Sequence, residues 1–207
     1  MSGHCCSSTK AESDNPVLRR ALWFALIVNA CMFFVDLTAS YIGDSVALKA
    51  DALDFFSDSA NYAISLFVLG SALVIRAKAS MIKAGSMAVF GLFVLYSAIE
   101  RAVNGSMPDA PVMGSIGFLA LLANVMVAWV LFRYRTGDSN MRSIWLCSRN
   151  DAIGNLAVIM AAAGVFFGSS RWPDLVVASI IAGLAIHSAW HIFILAKQEI
   201  QSEQTSH

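Results

Sequence analysis

The amino-acid sequence predicts an all-α polytopic membrane protein with six transmembrane helices and both termini in the cytoplasm. Three observations carry the prediction. Only 14% of the 207 residues are charged and 57% are hydrophobic, far from the roughly 25% charged of a soluble domain. The mean hydropathy is +0.65. Apolar runs of about 20 residues recur along the whole chain, each long enough to cross a hydrocarbon core about 30 Å thick at about 1.5 Å per residue.

The runs lie at about 21–42, 46–75, 84–103, 112–134, 143–168 and 173–196. The first follows MSGHCCSSTKAESDNP, a polar segment without the short apolar core of a cleavable signal peptide, so this span is expected to be retained. The second, VALKADALDFFSDSANYAISLFVLG, carries charge within its apolar pattern. The third to sixth are separated by NGSMPDAP, RTGDSN and SSRWP, which hold the Gly, Pro, Asn and Asp of turns. Three segments follow: an N-terminal tail at 1–18, a six-helix transmembrane domain at 19–197 and a short tail at 198–207, too brief for a core of its own. A cell inner (plasma) membrane is the expected location.

Orientation comes from the basic residues. Lys10, Arg19 and Arg20 precede the first span, Arg76, Lys78 and Lys83 join the second to the third, and Arg133, Arg135 and Arg142 join the fourth to the fifth. The alternate connections carry only Arg101 and Arg171 at their edges, which places the first set, and both termini, in the cytoplasm. With 14 basic and 14 acidic residues the formal charge is zero, and no nucleic-acid partner is expected. The lipid bilayer is the partner that the composition demands.

Asp51, Asp54 and Asp58 then need a reason. A charged side chain at the bilayer centre costs about 2.5 to 3.5 kcal/mol on insertion scales. Asp54 and Asp58 are spaced i, i+4, so on a helix they project from one face about one turn apart. A divalent cation between them removes both their repulsion and their desolvation cost; a carboxyl pair hydrogen-bonded to Ser or Asn is the competing explanation. Asp51 reads as a structural or mouth residue. The fifth span repeats the spacing with Cys147 and Asp151 in CSRND. If the two spans pack together, Asp54, Asp58, Cys147 and Asp151 give three carboxylates and a thiolate, a donor set that suits zinc and admits cadmium. Cys147 can equally be a small packing residue, with a water or Asn155 in its place.

These residues also carry a resemblance. SVALKADALDFFSDSAN is similar to the second-helix signature of the cation diffusion facilitator family, S-x-A-L-x-A-D-A-x-[HD]-x-x-x-D, and CSRND to its fifth-helix H-x-x-x-D, with Cys147 in the place of His. The likeness extends to Asn29 and Asp36 in the first span, Asn124 in the fourth and AIHSAWHIFILAKQEI in the sixth. It implies a short form of the family, without the usual cytoplasmic C-terminal domain. It further implies a homodimeric antiporter that moves a divalent metal, zinc first and cadmium or cobalt next, out of the cytoplasm in exchange for protons. The metal and the protons are the expected ligands, and no prosthetic cofactor is implied. A membrane metal sensor or accessory subunit that does not transport is the alternative. An enzyme is not expected, because there is no His-Glu zinc-protease helix and no Ser at a convincing spacing from a base.

Other polar positions offer further candidates. His4, Cys5 and Cys6 can capture a soft metal for delivery, or form an inert or lipidated tail. His187 and His191, spaced i, i+4 in the sixth span, fit interhelical packing, proton relay or metal binding. Arg149 belongs at a vestibule or beside a carboxylate. No disulfide framework is expected from Cys5, Cys6, Cys31 and Cys147. Gly85, Gly91 and Gly105, with Ala88 and Ser97, mark a face where helices approach closely, a candidate dimer surface.

The role of Cys147 has a direct test. A thiolate ligand favours cadmium, whereas the hydroxyl in Cys147→Ser is a hard donor. The ratio of cadmium to cobalt transport in proteoliposomes is expected to fall in Cys147→Ser, and an unchanged ratio removes Cys147 from the ligand set.

Overall fold

In the computed structural model the described backbone covers residues 16–67, 73–132 and 139–204, without the side chains at 18, 73, 74, 76, 139–150 and 202–204. It forms six helices and, among the described residues, no strand: α1 (Pro16–Ile42), α2 (Val46–Phe67), α3 (Leu73–Asn104), α4 (Ala110–Phe132), α5 (Ser139–Gly168) and α6 (Trp172–Gln204). Both chain ends, with His4, Cys5 and Cys6, lie outside the described residues.

Five of the six helices are long and apolar enough to cross a membrane, and the exception is α2. Its length of 22 residues suffices; its charges, Lys49, Asp51, Asp54 and Asp58, set it apart. The other helices turn large apolar side chains outward, with Phe167 83%, Val103 78% and Trp129 70% exposed. Only an apolar surround tolerates such a surface.

α3 runs further than the expected span at 84–103. The stretch from Leu73 to Ser86 holds no Pro, and its Ala, Lys, Met, Ile and Leu are compatible with helix. Lys83, expected in a connecting segment, is therefore inside a helix and buried. Two of the glycines of this region serve the chain internally. A Cβ on Gly91 would come within 2.8 Å of Ile186 Cγ1, so Gly91 permits the close approach of α3 to α6. Gly105, at φ 81°, ends α3 with its N–H donating to the Arg101 carbonyl at 3.1 Å, the usual use of a left-handed glycine at a helix C-terminus. Of the three, Gly85 alone faces open space.

α3 packs chiefly on α6, α1 on α2, and α4 on α5, while α1 meets α4 and α2 also meets α5. Helices α1, α2, α5 and α4 thus enclose one interior, with the α3–α6 pair alongside. Buried clusters fix the relative depths. Ala25, Tyr62 and Val127 share one level. Met32, Phe55, Ala120 and Ala123 share the next. Ala39, Val46, Ala47, Met113 and Val158 belong to a third, larger cluster that extends over several turns toward the end that carries the α1–α2, α3–α4 and α5–α6 connections.

That α1–α2 end is fastened by polar contacts. Ser45 caps α2 by accepting from Leu48 N at 3.1 Å. Asp174 of α6, 1% exposed, accepts from Ser45 Oγ at 2.6 Å, Val46 N at 2.9 Å and Ala47 N at 3.0 Å. A carboxylate from another helix thereby satisfies N–H groups that a helix start leaves without partners. Arg101 of α3 pairs with Asp44 at 2.5 Å and also donates to the Asp44 carbonyl. Asp109 N donates to the Gly43 carbonyl at 2.7 Å, and Arg171 Nη2 to the Ala102 carbonyl at 3.1 Å.

Asp174→Ala removes three acceptor contacts from buried donors and is expected to cost about 3 kcal/mol of stability, with Asp174→Asn milder. Unfolding in mixed detergent micelles measures it; equal midpoints for wild type and Asp174→Ala would show that the cap contributes nothing.

Candidate metal-binding site

Helical spacing gathers the polar residues of α1, α2, α4 and α5 onto inward faces. Seven residues make nearly two whole turns, so Asn29 and Asp36 share one face of α1, Asp51 and Asp58 one face of α2, and Gly117 and Asn124 one face of α4. On α5 the face is defined by Asp151, Asn155 and Val158. All of these are buried except Asp151, which is half-buried. Asp54, also half-buried, sits beside the Asp51–Asp58 line.

The three carboxyl groups expected to act together do meet. Asp151 lies within hydrogen-bonding reach of both Asp54 and Asp58, and Asp54 feels the charge of Asp58. A hydrogen bond between two carboxyl groups requires that one of them carry a proton. A Cβ on Gly117 would lie 3.3 Å from both Val158 and Ile159. This close antiparallel approach of α4 to α5 puts Asn124 near the depth of Asp151. The cluster levels likewise put Asn29 near the depth of Asp58. One layer of the interior therefore holds Asn29, Asp58, Asn124 and Asp151, with Asp54 and Asn155 about one turn further toward the α1–α2 end.

Several of these groups lack a partner among the described residues. Asn29 donates through Nδ2 to the Ala25 carbonyl at 2.8 Å, but its Oδ1 accepts nothing, and neither do Asn124 Oδ1 and Asn155 Oδ1; Asn155 Nδ2 donates to nothing. Buried amides are costly in that condition. Among the described residues no group of three or more His, Cys, Asp and Glu side chains is arranged as a ready metal cage. The carboxyls are close enough to share protons, and a metal would have to draw them together.

Lys83 was missed as a site residue. It is 7% exposed, donates to Asn61 Oδ1 of α2, and lies close enough to Asp54 and Asp58 for its charge to act on both. The signal was a lysine on an uninterrupted helical pattern facing Asn61, less than one turn beyond Asp58. Other candidates fall elsewhere. Cys147 and Arg149 belong to α5, but their side chains lie outside those described. His187 and His191 are exposed on α6. Cys31 is a free, exposed thiol.

Residues 75–200 match the family model of the cation efflux transmembrane domain. The chain is 25% identical over 190 residues to the cadmium, cobalt and zinc/H(+)-K(+) antiporter of Bacillus subtilis (strain 168), covering 84% of this chain and 60% of that protein. It is 24% identical over 202 residues to the zinc transporter ZitB of Escherichia coli (strain K12), covering 91% and 64%. It is 21% identical over 183 residues to the metal cation efflux system protein CzcD of Cupriavidus metallidurans, covering 83% and 58%. The chain spans about three fifths of the length of these curated relatives. The matched stretch includes Asp151 but not α2, so Asp54 and Asp58 are argued from geometry.

Proposed function

The chain belongs to the cation efflux family, and from that premise we propose that it moves a divalent metal out of the cytoplasm by proton-coupled antiport, with zinc the preferred cargo and cadmium or cobalt also carried. The single observation that supports this most is the meeting of Asp151 with Asp54 and Asp58 inside four helices. Metal and protons compete for the same oxygens there. The protons held between the carboxyls leave when a cation binds, and the cation leaves when protons return from the other face. That competition is the exchange.

Asp54, Asp58 and Asp151 serve as ligands in this reading, with Cys147, one turn from Asp151 on α5, as the fourth donor. The partnerless amides of Asn29, Asn124 and Asn155 orient the carboxyls or the water between them. Lys83 supplies positive charge while the site is empty of metal. All six helices span the bilayer, α2 included, because its neighbours shield its charge. The basic residues orient both termini to the cytoplasm. Alternating exposure comes from rocking of the helices that carry the site. The protein acts as a homodimer joined through its membrane helices.

Asp58→Ala and Asp151→Ala are each expected to abolish zinc flux, at least about 100-fold below wild type, as expected on losing a charged ligand. The measurement is zinc uptake together with luminal pH in proteoliposomes of equal protein density. Wild-type flux in either variant removes that residue from the site. Zinc binding by the wild type without any flux would favour the sensor reading instead.

A further inference from the structure

One buried carboxyl pair is left over by the site above. Asp36 of α1 is 0% exposed and Asp51 of α2 is 2% exposed. Both oxygens of Asp36 and Oδ2 of Asp51 have no hydrogen-bond partner among the described residues. The two are close enough for the charge of Asp36 to act on Asp51. The cluster levels agree: Met32 shares a layer with Phe55, and Ala39 with Val46 and Ala47, which places Asp36 opposite Asp51.

The basic side chains nearest to this level are engaged elsewhere. Lys49 Nζ sits over the rings of Tyr41 and Phe93, at 5.0 and 5.8 Å. Arg101 is paired with Asp44, and Lys83 lies beside Asn61, Asp54 and Asp58. Three buried carboxyl oxygens of neighbouring residues thus have no donor among the described residues, an arrangement that is costly unless something compensates it.

A further observation points to what belongs there. Asn155 is 0% exposed with both amide atoms partnerless. It sits on the α5 face between Asp151, which reaches Asp54 and Asp58, and Val158, which packs in one cluster with Ala47, Leu48 and Ala50 of α2. Asn155 therefore lies on α5 near the depth of Asp54, between the level of Asp58 and that of Asp51. An uncommitted oxygen placed between two sets of carboxyls suits a cation passing from one to the other.

We propose that Asp36 and Asp51 form a second divalent-cation subsite of hard oxygen ligands, stacked toward the α1–α2 end of the interior, with the Asn155 amide as the step between it and Asp54, Asp58 and Asp151. The ligands of this subsite stand on their own geometry; its role, holding the metal after it leaves the first site, rests on the transport reading. The two subsites are about 5 to 10 Å apart along α2. Water completes the coordination, as oxygen-ligand sites allow.

The test is equilibrium dialysis of the purified 207-residue chain in nanodiscs against radioactive zinc, with His4, Cys5 and Cys6 replaced by Ala in every sample. The parent is expected to bind about two zinc ions per chain. Asp36→Asn with Asp51→Asn, which keep side-chain size, should remove one; Asp54→Asn with Asp58→Asn should remove the other. If the Asp36/Asp51 variant binds as much zinc as its parent, the second subsite is refuted. If that variant loses one ion while the Asp54/Asp58 variant loses none, the subsite stands and the transport-site reading falls. Anomalous scattering at the zinc edge from crystals of the unmodified chain needs no variant. A peak between Asp36 and Asp51 supports the subsite, and a peak at Asp54, Asp58 and Asp151 alone overturns it.

Discussion

Four ionisable side chains on one membrane-length helix, Lys49, Asp51, Asp54 and Asp58, are the constraint from which the rest of the arrangement follows. A helix so charged is unstable facing lipid, and among the described residues α2 is the only helix that touches all five others. Each neighbour answers a different part of the problem. α1 brings Asp36 and Asn29, α5 brings Asp151 and Asn155, and α4 brings Asn124. α3 supplies Lys83 near one end and Arg101 near the other, while α6 supplies the Asp174 cap. The remaining helices are free to be apolar outward because α2 is not required to be.

The two kinds of polar contact differ in completeness. At the α1–α2 end nearly every partner is fixed: Asp174 has three donors and Arg101 holds both the side chain and the carbonyl of Asp44. In the interior the same residue types are left open, with oxygens of Asn29, Asp36, Asp51, Asn124 and Asn155 accepting no hydrogen bond among the described residues. Protein interiors seldom tolerate such oxygens. Satisfied groups hold the helices in register, and unsatisfied ones are available to something that comes and goes.

Much of this was legible in the sequence. Spacing of four put Asp54 and Asp58 on one face, and apolar runs with their turn residues located the helices. The pairing of α2 with α5 followed from the matching i, i+4 donor pairs on the two helices and from the resemblance of both to one family's signatures. What could not be read was depth between helices. Nothing in the chain says that Asp36 lies opposite Asp51, because that depends on how Met32, Phe55, Ala120 and Ala123 pack. Lys83 was assigned to a connection because basic residues cluster there, yet a pattern without Pro carried the helix through it. Gly91, read as part of a surface for a second copy, is consumed by Ile186 within the chain. Small residues announce a close approach but not which helix makes it.

The fastening of α2 at one end has a mechanical corollary. With Ser45, Val46 and Ala47 tied to α6 and Asp44 tied to α3, the start of α2 acts as a fulcrum. Asp51 lies about 9 Å from Ser45 along the axis and Asp58 about 20 Å. A tilt of about 10° would then carry Asp58 sideways by about 3 Å but Asp51 by only about half as much. A helix anchored in this way behaves as a lever, on which any given tilt displaces Asp58 about twice as far as Asp51.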